Sequence, residues 1–171
     1  MLGWREYDRA NVTKLLILLG CLASAGMLGR QASVPGTPPD ALKSHLQNEQ
    51  LQAVTSVRGL PLGVRDAMAT LFGGGALQLA DPGAEFQATD VVSKPDLPIR
   101  RLAVAGCSID HCLLQYERGG FAHTWHVALF HWTPAETRLV AGGTAPARFA
   151  STDEMRRALL SGAIKTETGR W

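Results

Sequence analysis

The chain has 171 residues, 46% of them hydrophobic, and carries 17 Lys+Arg against 15 Asp+Glu for a formal net charge of +2. That near-balance, with no basic run longer than Arg100-Arg101 or Arg156-Arg157, excludes the electrostatic footprint of a nucleic-acid-binding protein. Past the N-terminal segment about 125 residues remain to fold, enough for one hydrophobic core and too few for two.

Arg5, Arg9 and Lys14 outnumber Glu6 and Asp8 ahead of Leu15-Leu16-Ile17-Leu18-Leu19, and the uncharged stretch continues through Gly29 to Arg30. It falls short of the roughly 20 residues that a membrane-spanning helix needs. A short apolar core followed by Ala23-Ser24-Ala25 fits an export signal cleaved after Ala25. Two other fates compete with that one. Leu18-Leu19-Gly20-Cys21 resembles a bacterial lipoprotein box in which Cys21 is lipidated, and an uncleaved, tilted segment would serve as an anchor. All three send the domain out of the cytoplasm. The expected location is therefore periplasmic or secreted, with a membrane-anchored lipoprotein as the alternative, and the membrane is reached only through this segment. The chain divides into an export signal (1–25), a Pro-rich tether (26–40), one domain (41–165) and a C-terminal tail (166–171).

Asp40 is placed to cap a helix through Leu42, Leu46, Leu51 and Val54, although the polar stretch between Leu46 and Leu51 interrupts its apolar face. A second helix is predicted from Val64 to Phe72, ended by Gly73-Gly74-Gly75. Strands are predicted at Glu85–Val92, Arg100–Cys107, Cys112–Arg118, Phe121–Trp132 and Thr137–Gly142, with turns at Gly119-Gly120 and Thr133–Glu136. Ser151 and Glu154 form the signature of a capping box for a last helix that Gly162 stops. Short connections make sequential strands antiparallel. The expected fold is a single small α+β domain, an antiparallel meander of four to five strands packed with two to three helices on one side.

If Ser108–His111 is a hairpin loop, Cys107 and Cys112 stand opposite one another at its base, and an oxidising compartment makes them a disulfide. A zinc site at Cys107, His111 and Cys112 needs reduced thiols and a fourth ligand. His123 and His131 lie roughly 26 Å apart along an extended strand, and His126 points to the opposite face, so those three histidines do not converge on one ion. Accordingly no metal and no cofactor is expected. A two-residue turn at Gly119-Gly120 pairs Tyr116 with His123, Leu114 with Trp125 and Cys112 with Val127. That register puts Leu114, Tyr116, His123, Trp125, Val127 and Leu129 on one face, and Leu113, His126, Phe130 and Trp132 on the other. Both faces are apolar enough to need covering.

Tyr116, His123, Trp125 and Arg118 form the candidate ligand-binding group on this register, with Arg101 near the same end. No catalytic residues are assigned. Ser108, Asp110 and His111 crowd one tight loop, where turn polarity explains them better than a nucleophile relay does. Gly73-Gly74-Gly75 follows a helix and has no Lys-Ser or Lys-Thr after it, unlike a phosphate loop. The expected function is that of an exported cell-envelope binding or interaction module, more readily non-enzymatic. Its partner would be an envelope protein or a small ligand. The alternatives are a small hydrolase or metal-binding protein using His123, His126 or His111, and a thiol-disulfide protein using Cys107 and Cys112.

Overall fold

A computed structural model describes residues 33–92, 94–167 and 171. The export signal, the cleavage position after Ala25 and the proposed lipidation of Cys21 lie outside the described residues. The described elements run α1 (Asp40–Asn48), β1 (Gln52–Ala53), α2 (Leu62–Leu71), β2 (Arg100–Cys107), β3 (His111–Arg118), β4 (Thr124–Trp132), β5 (Thr137–Ala145), α3 (Thr152–Leu160) and β6 (Lys165–Thr166). All strands join one antiparallel sheet of six in the order β1-β2-β3-β4-β5-β6. The α+β meander is as expected, with six strands in place of four to five because two-residue strands close both edges.

β3 is buried along nearly its whole length, as befits a central strand with apolar side chains on both faces. Leu102, Cys112, Leu114, Tyr116, Ala128 and Phe130 pack with Leu60 and with Val64 and Met68 of α2. On the opposite face Leu113, Val127, Leu129 and Ala141 pack with Leu46 of α1 and Met155 and Leu159 of α3. Each such side chain taken fully out of water contributes roughly 1.5–3 kcal/mol before ordering costs. Helices therefore cover both faces, where the sequence reading put them on one.

Several local expectations shift for identifiable reasons. α1 stops at Asn48, inside the polar stretch, and Leu51 and Val54 belong instead to the β1 segment, where Val54 N–H bonds Ala105 O. Asp40 is the first helical residue, salt-bridged to Lys43, and makes no cap. Ser151 does cap α3 by accepting from Glu154 N–H, while the Glu154 carboxylate turns to Ala150 N–H. Residues 85–92 form no strand, because the free edge of β2 is already taken by β1 and by Ala80, which bonds Arg100 O and Leu102 N–H. They cross beside the end of β3 instead, bridging Thr89 to Gly120. Part of the segment read as a tether is docked, since Pro35 O accepts from Gly142 N–H and Val34 bridges to Glu167.

The β3–β4 connection carries the largest correction. A Cβ on Gly119 would lie 2.0 Å from Gln87 O, so glycine is required there for the chain crossing, and Gly120 has φ +111°. The pair does not make a two-residue turn. The loop runs over 119–123, and the register moves by three residues, so that Tyr116 pairs with His126, Leu114 with Ala128 and Cys112 with Phe130.

Cys107 and Cys112 are directly paired and disulfide-bonded across the β2–β3 hairpin, with Cα atoms 4.1 Å apart. Because the closed loop is so short, replacing both cysteines with alanine should cost about 2 kcal/mol. Urea unfolding of the double variant beside the oxidised protein measures this, and equal midpoints would show that the bridge contributes nothing.

Candidate functional site

At the end of β3 the strands open around a cavity of about 310 Å³ lined by Arg118, the 119–122 loop, Thr124, His126, Thr144 and Glu167. Strand alternation explains the set. Tyr116 and Arg118 share a face of β3, His126 lies opposite Tyr116 and Thr144 opposite His126. Glu167 follows β6 and is fixed by Thr144 Oγ1, which donates to its Oε2 at 2.7 Å. Phe121 stands 96% exposed at the rim, an apolar contact at the mouth.

The His126 side chain is 3% exposed, with Nε2 2.9 Å from Thr124 Oγ1 and Nδ1 3.7 Å from Glu167 Oε2. A carboxylate facing Nδ1 favours the tautomer with its proton there, so that Thr124 donates to Nε2. Beneath His126 the Tyr116 ring stacks at 5.2 Å and 10°. Burial pushes the His126 pKa down to about 4, Arg118 and Arg100 add to that, and Glu167 opposes it. Burial likewise drives the Tyr116 hydroxyl well above its ordinary range, with Glu167 adding and Arg100 and Arg118 opposing. Both groups are thus neutral at pH 7. Arg118 and Glu167 bring one positive and one negative side chain to the lining.

Among the described residues, His126 Nδ1 and Arg118 Nε of the lining are buried without a hydrogen-bond partner, as are Tyr116 Oη and Arg100 Nε outside it. Arg100 is otherwise engaged, with Nη2 donating to Trp171 O and its guanidinium 4.0 Å from the Phe72 ring centroid. An unpaired buried polar atom costs roughly 1–3 kcal/mol, so a group of them around a cavity marks a place where a ligand improves the balance.

The four residues grouped from sequence separate by face. Tyr116 and Arg118 belong to this site, Tyr116 behind His126 rather than in the lining. His123 and Trp125 pack edge-on at 5.1 Å, and His123 Nε2 sits 2.8 Å from Glu117 Oε2. Glu117 also accepts from Arg101 Nε at 2.6 Å, which leaves that cluster internally satisfied. Thr124, Thr144 and Glu167 escaped the sequence reading. A five-residue loop would have brought His126 to Tyr116, but no local pattern announces Glu167.

Thr124, His126 and Glu167 have the outline of a hydroxyl–imidazole–carboxylate relay. Three features weaken it as chemistry. The 3.7 Å gap is beyond a hydrogen bond, a histidine near pKa 4 is a weak base at pH 7, and the Gly119 and Gly120 N–H groups already bond Ile99 O and Ala88 O.

His111 lies at the other end of β3, against Glu49, Asp110 and His131. The Cys107–Cys112 disulfide removes the thiolates that a Cys107, His111, Cys112 metal site would need. A wider open groove of about 600 Å³ runs between α2 and the β4–β5 turn, from Pro61 and Asp66 to Trp132 and Glu136, without a comparable convergence of unpaired groups. No helix of the described residues is long and apolar enough to cross a membrane. Comparison of the chain with protein-family models, curated proteins and solved structures gives no match.

Proposed function

We propose that the protein is an exported binding module that holds a small anionic ligand in the Arg118–His126–Glu167 cavity. The observation that carries the reading is that Arg118 and His126, whose Nε and Nδ1 are buried with no hydrogen-bond partner among the described residues, line one cavity. Arg118 supplies a charge-assisted donor, neutral His126 a directional one, and Phe121 an apolar contact for the remainder of the ligand. The carboxylate of Glu167 orients Thr144 and sets the polarity of His126. Export rests on the N-terminal pattern, and a disulfide-closed domain is compatible with it.

Thermal shift and calorimetry of residues 33–171 against small carboxylates and phosphate esters test this. At least one class should raise Tm by several degrees. Arg118→Gln should weaken that ligand about 10- to 100-fold, the worth of one charge-assisted hydrogen bond. If no anion shifts the wild type, or Arg118→Gln binds equally well, the reading falls.

The relay outline favours a hydrolase as the second reading. Labelling of Thr124 by an acyl-transfer probe, abolished in Thr124→Val, would support it over simple binding.

A further inference from the structure

At the opposite end of the sheet four side chains converge from elements far apart in sequence. His45 lies in the last turn of α1 and Glu49 at its C-cap, while Asp110 and His111 belong to the β2–β3 hairpin. One ligand atom from each lies within 4.8 Å of the other three. His111 Nδ1 is 3.1 Å from both Glu49 Oε1 and Asp110 Oδ1, and His45 Nε2 is 3.8 Å from Glu49 Oε2 and 4.0 Å from Asp110 Oδ2.

Donors are too few for these acceptors. His111 Nδ1 carries at most one proton yet faces two carboxylates, and the single proton of Ser108 Oγ is shared between the same two groups. The Glu49 side chain is only 6% exposed, and its Oε2 is buried with no hydrogen-bond partner among the described residues. Arg156, the nearby guanidinium, bonds the main-chain oxygens of Leu46 and Glu49 and the Asp153 carboxylate, and so does not answer Oε2. A buried carboxylate oxygen left without a donor calls for a cation.

We propose that His45, Glu49, Asp110 and His111 bind one divalent transition-metal ion of the zinc class. Four donors around such an ion at about 2.0–2.1 Å are roughly 3.3 Å apart on a tetrahedron. His111 meets one oxygen of each carboxylate at 3.1 Å and His45 the other oxygens at 3.8 and 4.0 Å, so one donor from each residue, all within 4.8 Å, closes on the ion by a small contraction on the His45 side. Two imidazole nitrogens beside two carboxylates suit zinc and its first-row neighbours better than calcium or magnesium, which take oxygen shells. Ser108, which accepts from the Asp110 and His111 N–H groups, orients the carboxylates from outside the ligand set. The ion would clamp the end of α1 to the hairpin whose base the disulfide closes.

The test uses untagged, chelator-stripped protein titrated with Zn2+ by calorimetry and native mass spectrometry, and with Co2+ by absorbance. One ion per chain is expected, with visible cobalt bands of tetrahedral intensity and no sulfur-to-cobalt charge transfer. His45→Ala, at a side chain 54% exposed, should keep the apoprotein Tm and lose at least tenfold in Zn2+ affinity. His123→Ala should bind as the wild type does. Absence of a stoichiometric ion, unchanged affinity in His45→Ala, or a sulfur charge-transfer band would each overturn the site. None of these results bears on the anion cavity at the far end of the sheet.

Discussion

Gly143→Ala is expected to destabilise the domain by on the order of 3 kcal/mol, a fall in Tm of about 10 °C. Gly143 pairs with Thr166 of β6 at φ +155°, and a Cβ there would lie 1.9 Å from Lys165 O and 2.8 Å from its carbonyl carbon. Backbone cannot swing aside as the end of a flexible side chain can, so β6 must move. Glu167 immediately follows β6, and the displacement should also break its contact with Thr144 at the anion cavity. Gly75→Ala separates the two components of the cost. Gly75 has φ +83° with nothing within 4 Å of the point a Cβ would occupy, so its replacement carries only the backbone term, about 1–2 kcal/mol. Urea and thermal unfolding of both variants decide the matter, and a Gly143→Ala protein no less stable than Gly75→Ala would mean that β6 is not held as described.

What was legible in the sequence follows from how local each signal is. β2 starts and ends where its apolar run and the cysteine pair predict, and β3 to β5 each differ only at an end, because alternation and turn residues act over a few positions. The need to cover both sheet faces was also readable from Leu113 and Leu114, which point opposite ways and are both buried. The hidden determinants are nonlocal. Gly119 is glycine because residues 87–88 cross it, and that contact turned a two-glycine hairpin signal into a five-residue loop with every cross-strand partner changed.

The two sites show the same limit. Tyr116 and Arg118 could be grouped by strand period, whereas His123 was placed beside them only through the wrong register. Glu49 lies in the polar interval between Leu46 and Leu51 that reads as a flaw in a helix, and His45 just ahead of Leu46 carries no signal of its own. Docking of α1 on the sheet makes that interval the end of the helix and brings it to the hairpin. Glu49 and His111 are 62 residues apart, and only tertiary packing joins them.

His126 should make stability fall in acid well before the carboxylates are fully protonated. Its folded pKa of about 4 lies below the ordinary 6.5, so the unfolded chain binds the proton more readily. The stabilising contribution of the neutral, buried ring is fully present above pH 6.5, declines as pH drops, and is lost by about pH 4. The difference corresponds to about 3 kcal/mol across that window. Tyr116, Arg100, Arg118 and Glu167 face the ring, and the Tyr116 hydroxyl, driven upward by burial, stays neutral throughout this range. Comparing urea unfolding of wild type and His126→Gln from pH 7.5 to pH 4 cancels the acids that both proteins share. The stability gap between them should shrink or reverse by that amount, and a gap independent of pH would show that the ring is not buried in its neutral form. A bound anion would stabilise the imidazolium and raise this pKa, so the acid-induced loss should be smaller in the presence of a ligand than in its absence. That coupling links the stability profile directly to occupation of the cavity.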